Sequence, residues 1–463
     1  MDIKRNLLIA TLVTSSQIAA AADGDLDTTF NSSGTRLYAV DLDSAGTDQL
    51  DHALPMNDGS IVLVGTAQQS GNHKLVVAKL LASGQVDSNY GSSGETVVDI
   101  NVDRTLLDGI GATLQADGKL VVAATITRGV APFDQNVAIV RLNTDGTMDT
   151  SFSGDGLLPI DIDASRDDRA HAVAIDSQGR IVVAGAHIEP GGTLSMMSLR
   201  VTANGTLDAG YAGGVRYTEF VANNASWATS VAIGPDDEVF VGGCTFSSFG
   251  DEDFAFWKLT SLGHDDTTFD DDGKQTFWFD VNGTNDDCMQ DMALRPEGGL
   301  VAVGDANDGT TDGQIAVAVI DNDGEWVTEF GNQTPRNGRY LLEVSTIDTV
   351  GDIADAVAIQ ADGKIVMAIT VPTTDGLDIG ALRINSDGST DTSFGFFGLQ
   401  VFDLDFGGDN EGASSIALDS QQRIVIGASA LLSTSNFDFD YLAARLENSN
   451  DTILKSTFGG QLQ

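Results

Sequence analysis

The feature that most constrains this chain is a repeat of about sixty residues, a period that belongs to solenoids and propellers. The phrase RLNTDGTMDTSFSGDG from Arg141 returns as RINSDGSTDTSFGFFG from Arg383 and, more loosely, as LTSLGHDDTTFDDDG from Leu259. Aligned along the chain, the phrase places an aromatic anchor at Phe30, Tyr90, Phe152, Tyr211, Phe269, Phe330, Phe394 and Phe458, at intervals of 60, 62, 59, 58, 61, 64 and 64 residues. Eight anchors bound seven units. An element used this often is a structural part before it is a unique active site.

Within each unit four short runs recur. The second unit shows them as ETVVDIN, GIGATLQ, KLVVAAT and NVAIVRLN, rich in valine and isoleucine and separated by turn residues, the pattern of antiparallel strands. Between the second and third runs stand Asp58-Gly59, Asp117-Gly118 and Asp362-Gly363, pairs suited to a type I′ hairpin turn. Gln178-Gly179 and Gln421-Gln422 replace the pair in two other units. A lone four-stranded sheet exposes two apolar faces, so the units must stack. An open solenoid would need polar caps at its ends, whereas here the first and last units match the rest. The fold class expected is therefore all-β: a seven-bladed β-propeller with four antiparallel strands per blade, its termini meeting where LDTTF and KSTFGG stand at the two ends.

A basic residue followed by an aliphatic one marks the fourth run of six units, as in Lys79-Leu80, Arg141-Leu142 and Arg383-Ile384, and R-L-N-x-D-G-x-x-D-x-S-F follows it. On these residues the chain resembles the delta-60 repeat of secreted and surface bacterial proteins, a β-propeller module. The resemblance spans nearly the whole chain after the leader and is fullest in units two and six. Unit five departs from it, with Val319-Ile320 for the basic pair and WVTEF for the D-x-S-F phrase. It implies an architecture and leaves the activity open.

The first residues, MDIKRNLLIATLVTSSQIAAAADG, combine Lys4 and Arg5, a short apolar run and small residues before Asp23. They read as a cleavable signal peptide over residues 1–22, too short to span a membrane, ahead of one domain over 23–463. The expected location is secreted or periplasmic, as a monomer, with a protein or glycan partner outside the cytoplasm. Sixty-eight acidic residues against 24 basic ones give a formal charge of −44, which argues against nucleic acid and anionic membranes. Such acidity equally fits a solvated surface. Export makes a disulfide between Cys244 and Cys288 possible in principle, and two free buried thiols fit the sequence as well.

Two constellations are candidates for chemistry. Each unit's first run ends in a carboxylate between apolar residues: Asp41, Asp99, Asp161, Glu219, Asp280, Glu343 and Asp403. If that run is innermost, these seven form a ring able to hold Ca²⁺ through oxygen ligands. Capping of local turns is the competing account. The second constellation is aromatic: Trp227, Trp257 and Trp278, with Trp326 beyond, lie in one arc, as core packing or as a stacking platform for sugar rings.

The opening phrase lacks the ligand spacing of an EF-hand, so Asp145 and Asp149 are read as turn caps, Phe152 as a wedge between units and Arg141 as the partner of an aspartate. His52 and His171 occupy similar places in their units and read as structural. With no nucleophile elbow, phosphate loop or H-E-x-x-H, the chain leans away from an enzyme. The function expected is an acidic binding or interaction module, calcium-stabilised if the ring is real. The alternative is a propeller hydrolase or lyase acting on polysaccharide or ester substrates. A histidine or acid pair that breaks the repeat on one face would favour the enzyme, and a uniform ring the binder.

Overall fold

The computed structural model describes residues 22–448 except 41, 44–46, 105–108, 129–133, 164–165, 280–285, 308–312, 333–335, 346–350, 375, 405–409 and 434–437. Residues 1–21 of the proposed leader and the anchor Phe458 therefore lie outside the described residues. What is described is all-β, with 28 strands and no helix among the described residues. The strands form five four-stranded antiparallel sheets and one of eight strands. The larger sheet consists of two four-stranded halves whose strand pairing is joined through Val102 opposite Ile126 alone.

The order of strands corrects one expectation. Each sheet begins with the second run of a unit and ends with the first run of the next, so Glu95–Val102 pairs with Asn72–Leu80 as an outermost strand. Connections of two to five residues tie second, third and fourth runs together, and the chain crosses to another sheet between a first run and the following second run. The inner strands Gln49–Pro55, Ile110–Leu114, Asp168–Ile175, Ser226–Ile233, Asp287–Leu294, Ile353–Ile359 and Glu411–Leu418 lie each against the next, and the last lies against the first. Thr35–Tyr38, from the start of the chain, completes the sheet whose other strands are the last three, pairing Thr35 with Ala444 and Tyr38 with Tyr441.

The hairpins also differ from the type I′ expectation. Gly59, Gly118 and Gly363 have φ near +80°, but their aspartates do not share the left-handed region. Gly59 N–H donates to Met56 O and Met56 N–H to Ser60 O, so the loop is a type I turn closed by a left-handed glycine bulge. Asp58 caps it by accepting from Ser60 N–H at 2.9 Å. Gln422 takes the glycine's place at φ 64° in the last sheet.

The repeated phrase is a bracket between neighbouring sheets. Arg141 Nε donates to Asp149 Oδ2 at 2.8 Å, its Nη1 reaches Ala203 O in the following unit, and its guanidinium lies 4.7 Å from the Phe152 ring centroid. Phe152 is fully buried, and a Cβ on Gly205 of the next unit would press on its ring. The same seating joins Tyr90 to Gly146, Tyr211 to Gly263, Phe269 to Gly324 and Phe330 to Gly388. Burying such a ring is worth about 2–3 kcal/mol, so the apolar wedge holds the joint and the ion pair fixes its angle. Asp145 accepts from Thr147 N–H and Oγ, as a turn cap.

Cys244 and Cys288 form a disulfide that joins the second strand of one sheet, Val239–Phe246, to the inner strand of the next, Asp287–Leu294. It closes a 44-residue separation and restricts the unfolded chain accordingly. Reduction with dithiothreitol is expected to lower stability by about 2–4 kcal/mol in denaturant melts. The Cys244→Ala/Cys288→Ala double variant should show the same loss and no further response to reductant; an unchanged midpoint in both would refute the contribution.

Candidate functional site

All seven inner strands line one cavity of about 490 Å³. What faces it is decided by a local irregularity. Six inner strands slip register against their neighbour by one residue, leaving Asp51, His171, Thr229, Gln290, Asp355 and Ser414 unopposed. Each is a β-bulge, which re-aims a side chain, and every one of these six lines the cavity. The seventh strand keeps regular pairing from Ile110 onward and contributes that apolar residue.

The bulges have a sequence cause in four strands. Gly65, Gly185, Gly243 and Gly304 face the bulged segments, and a Cβ on any of them would collide with a carbonyl oxygen there, of Gln49, Arg169, Trp227 and Cys288 respectively. A glycine inside an otherwise apolar strand, facing a strand that carries a polar residue, was the available signal for the site.

The polar groups are partly spent on the frame. His52 Nε2 lies 2.7 Å from Ile110 O and His171 Nδ1 2.6 Å from Ala228 O, each bridging to the next inner strand. Thr229 does the same through its hydroxyl to Met289 O. The two histidines are not equivalent: His171 is a bulge residue, whereas His52 follows the bulge at Asp51. Asp291 accepts from Ser230 Oγ at 2.8 Å and from Val357 N–H at 3.0 Å, clamping three consecutive inner strands together. Asp355 accepts from Thr370 Oγ1 at 2.8 Å. Arg104 gives Nη1 to Asp51 Oδ1 and both Nε and Nη2 to Gln49 Oε1.

Electrostatics keep much of this lining uncharged. Desolvation, reinforced by the charge of Asp305 against the Thr370 hydrogen bond, pushes Asp355 up to about 8. Desolvation also raises Asp291, over the opposing hydrogen bonds from Val357 and Ser230. Burial pushes the His171 imidazole down to about 4. At neutral pH the cavity therefore holds a protonated carboxyl at Asp355 and a neutral ring at His171.

Of the residues singled out from sequence, Trp227 belongs to this cavity: it is buried at its wall and packs against Phe246 at 5.8 Å between centroids. Trp257 is buried in its sheet, with Nε1 donating to Asp265 Oδ1 at 2.9 Å. Trp278 stands at the periphery, 46% exposed. Of the phenylalanines in this arc Phe254, Phe256 and Phe277 are core, with Phe277 4.2 Å from Trp326 and Phe254 5.3 Å from Phe279, whereas Phe249 is 93% exposed.

The first-run carboxylates among the described residues do not line the cavity. Asp99 lies on an outermost strand with its side chain in solvent, paired with Lys74 at 2.7 Å. Asp161, Glu343 and Asp403 follow other outermost strands and are exposed, Glu219 is half-buried, and Asp41 and Asp280 lie outside the described residues. Among the described residues no three His, Cys, Asp or Glu are disposed to hold a metal ion, and no helix is long and apolar enough to cross a membrane.

Residues 57–90, 115–152 and 360–394 match the family described as "Domain of unknown function (DUF5122) beta-propeller", a β-propeller family without assigned activity. No curated protein matches the chain. Among solved structures it is similar to a protein of unknown function from Dyadobacter fermentans, at 13% identity over 90% of this chain and 100% of that one, TM-score 0.42. It is also similar to a polysaccharide lyase described as an ulvan lyase, at 9% over 95% and 99%, TM-score 0.47. An α-L-arabinofuranosidase from Fusarium graminearum is similar at 11% over 76% and 96%, TM-score 0.46.

Proposed function

We propose that this chain is a seven-bladed β-propeller, exported from the cytoplasm, that acts as a binding module and takes a small polar ligand into its central cavity. The observation that supports the reading is the set of bulges. A repeat that is nearly uniform at its joints varies most where the six bulged residues meet: two aspartates, a histidine, a threonine, a glutamine and a serine face one space. Structural upkeep of the ring needs the same side chain in every copy, whereas recognition of one asymmetric ligand needs different ones. Convergent polar groups on apolar, rigid strands are the usual build of such a site.

The test is a thermal-shift and calorimetric screen of small amines, sugars and carboxylates against the oxidised protein and against Ser414→Trp, which fills the cavity from one bulge. A ligand that raises the melting midpoint of the parent protein and leaves the variant unmoved is the expected result. Binding that the filled cavity does not disturb would place the site elsewhere and end the proposal.

A second reading, a hydrolase or lyase, has one observation in its favour. The repeat is broken inside the cavity by Asp355, held protonated at about 8, with the neutral His171 on another part of the same lining, and a carboxyl poised near neutral pH is suited to general-acid work. Turnover of a polysaccharide or ester panel, lost in Asp355→Asn with binding retained, would select it. Calcium has less support. The first-run carboxylates among the described residues are spread over the outer edges, where charge discourages edge-to-edge pairing, so a chelator is expected to leave the melting midpoint in place.

A further inference from the structure

Two stretches of sequence resemble the phrase that belongs at the joint where the chain's start meets its last sheet, and the structure seats the earlier one. Gly24 N–H donates to Glu447 O at 2.9 Å as Gly146 N–H does to Asn143 O, and Gly395 N–H donates to Asp23 O as Gly91 N–H does to Asp145 O. Residues 23–30, DGDLDTTF, thus serve as the second half of the seventh unit's phrase. The chain's own continuation, SNDTILKSTFGG from Ser449, is left over. It is also unfit for the joint. The brackets set an aspartate from three residues before the anchor against the basic residue, Asp149 on Arg141, Asp391 on Arg383 and Asp27 on Arg445, whereas Lys455 stands three before Phe458 and would bring a second cation to Arg445.

We propose that this displaced segment, residues 449–463, folds back over Phe396 and Phe397 and covers them. The two rings meet edge to face at 4.8 Å and are 67% and 57% exposed. The turn that carries them does not need them. Gly398 N–H closes it onto Phe394 O as Gly94 N–H does onto Tyr90 O, and after the other six described anchors the same loop holds only glycine, alanine, proline and polar residues. Phe397 has φ 55°, where Ser93 of the related loop has 63°, and a bulky aromatic held in the left-handed region marks a side chain kept for something outside the turn. The segment starts beside the pair: Arg383 N–H donates to Gly398 O at 2.7 Å, and its Nη1 to Asn448 Oδ1 at 2.8 Å. From Asn448 five extended residues reach about 17 Å, which brings Ile453, Leu454 and then Phe458 within range of the rings. Area favours the chain's own segment over a second copy. At these exposures the two rings offer about 250 Å², whereas a stable contact between copies needs about 800 Å² on each side.

Hydrogen exchange on the chain from Asp23 to Gln463 tests the contact. Amides of residues 453–458 should exchange at least tenfold more slowly than an unstructured peptide of the same sequence. The double variant Phe396→Ser/Phe397→Gly, which restores the residue types of the related loops and relieves the left-handed phenylalanine, should return them to the unstructured rate while Leu442 in the last sheet stays protected. Deleting residues 449–463 should raise the fluorescence of anilinonaphthalene sulfonate at least twofold, and the double variant should remove that rise. Unprotected tail amides in the parent chain would overturn the proposal, as would protection that the double variant leaves intact. A dimer in sedimentation that dissolves in the double variant, with the tail unprotected, would give the pair to a second copy instead.

Discussion

Raising the pH from about 6.5 to 8 is expected to lower the melting midpoint steadily, the reverse of what a chain dependent on ion pairs alone would do. Two buried aspartates hold protons at neutral pH and a third is about half-protonated there. Asp355 and Asp287 are pushed up to about 8 and Asp253 to about 7, in each case first by desolvation and then by neighbouring negative charge. For Asp287 the neighbours are Asp253, Asp305 and Asp286, and a hydrogen bond from Phe279 N–H works the other way. An unfolded aspartate ionises near 3.9, so between about pH 4 and 8 the native state binds more protons than the unfolded one. Stability therefore falls as pH rises through that window, by up to about 1.4 kcal/mol per pH unit for each group that is protonated only when folded.

His171, pushed down to about 4, acts in the opposite sense, but only below about pH 6.5, where an unfolded histidine starts to take up its proton. The decline is thus cleanest above that point. Below about pH 4 a different set fails. Hydrogen bonds from Ser393 and the charges of Arg383 and Lys364 outweigh desolvation and hold Asp391 at about 2, so its contribution is present above about pH 4 and is lost as pH falls through 2. Maximal stability should sit near pH 4, because three raised aspartates outweigh the one depressed histidine down to that point. Melts from pH 4 to 8 check this, and Asp287→Asn with Asp355→Asn should flatten the upper limb. A midpoint that is level or rising from 6.5 to 8 would show that the buried aspartates are relieved in solution.

Replacing Asp27 by alanine is expected to cost about 3–5 kcal/mol, because it strips the partner from a buried cation. Arg445 is 2% exposed and donates Nε to Asp27 Oδ2 at 2.7 Å, with Nη1 going to Ala82 O and the guanidinium 4.8 Å from the Phe30 centroid. This is the Arg141 bracket again, except that its carboxylate comes from the other end of the chain. Arg423 donates to the same oxygen at 3.0 Å but also holds Asp419 at 2.7 Å, so it is Arg445 that the substitution leaves without a directly bonded carboxylate. Asp27 also accepts from Thr29 N–H and Oγ1, and Asp27 N–H donates to Arg445 O. Because the bracket fastens Thr35–Tyr38 to the last sheet, its loss should release that strand. Hydrogen exchange would show Leu37 and Leu442 opening together ahead of global unfolding, while Asp149→Ala, at an internal bracket, should leave them protected. Equal protection in Asp27→Ala and the parent would mean that strand pairing alone closes the chain.

The difference between these two brackets shows how much the sequence disclosed. RLNTDGTMDTSFSGDG is a local device: Arg141, Asp149 and Phe152 lie within twelve residues, and their contacts follow from turn chemistry and one buried ring. That is why the period, the strands, the wedge and the arginine–aspartate pairing were legible. The closing bracket was legible in outline too, since LDTTF at the start repeats the phrase without its own arginine. The cavity was not. Its six bulged residues have no shared motif, because what repeats is the backbone slip and what varies is the side chain that the slip presents. Their nearest sequence sign, the glycines at 65, 185, 243 and 304, stands on a different strand from the residues it exposes.

The first-run carboxylates show the limit from the other side. A period of two and a place at the end of a run are local facts, and they fixed which side chains share a face with Asp99. Whether that face looks inward or outward depends on which sheet the run joins, and the run joins the preceding sheet, where Lys74 meets Asp99 at the outer edge. Local chemistry thus determined the repeat, its turns and its brackets by itself, because their partners are near in sequence and their geometry is set by backbone angles and short side chains. The inner and outer edges, the disulfide across two sheets and the meeting of Asp51, His171, Trp227 and Asp355 were decided only by packing seven inner strands around one space, which brings together residues that no local rule relates.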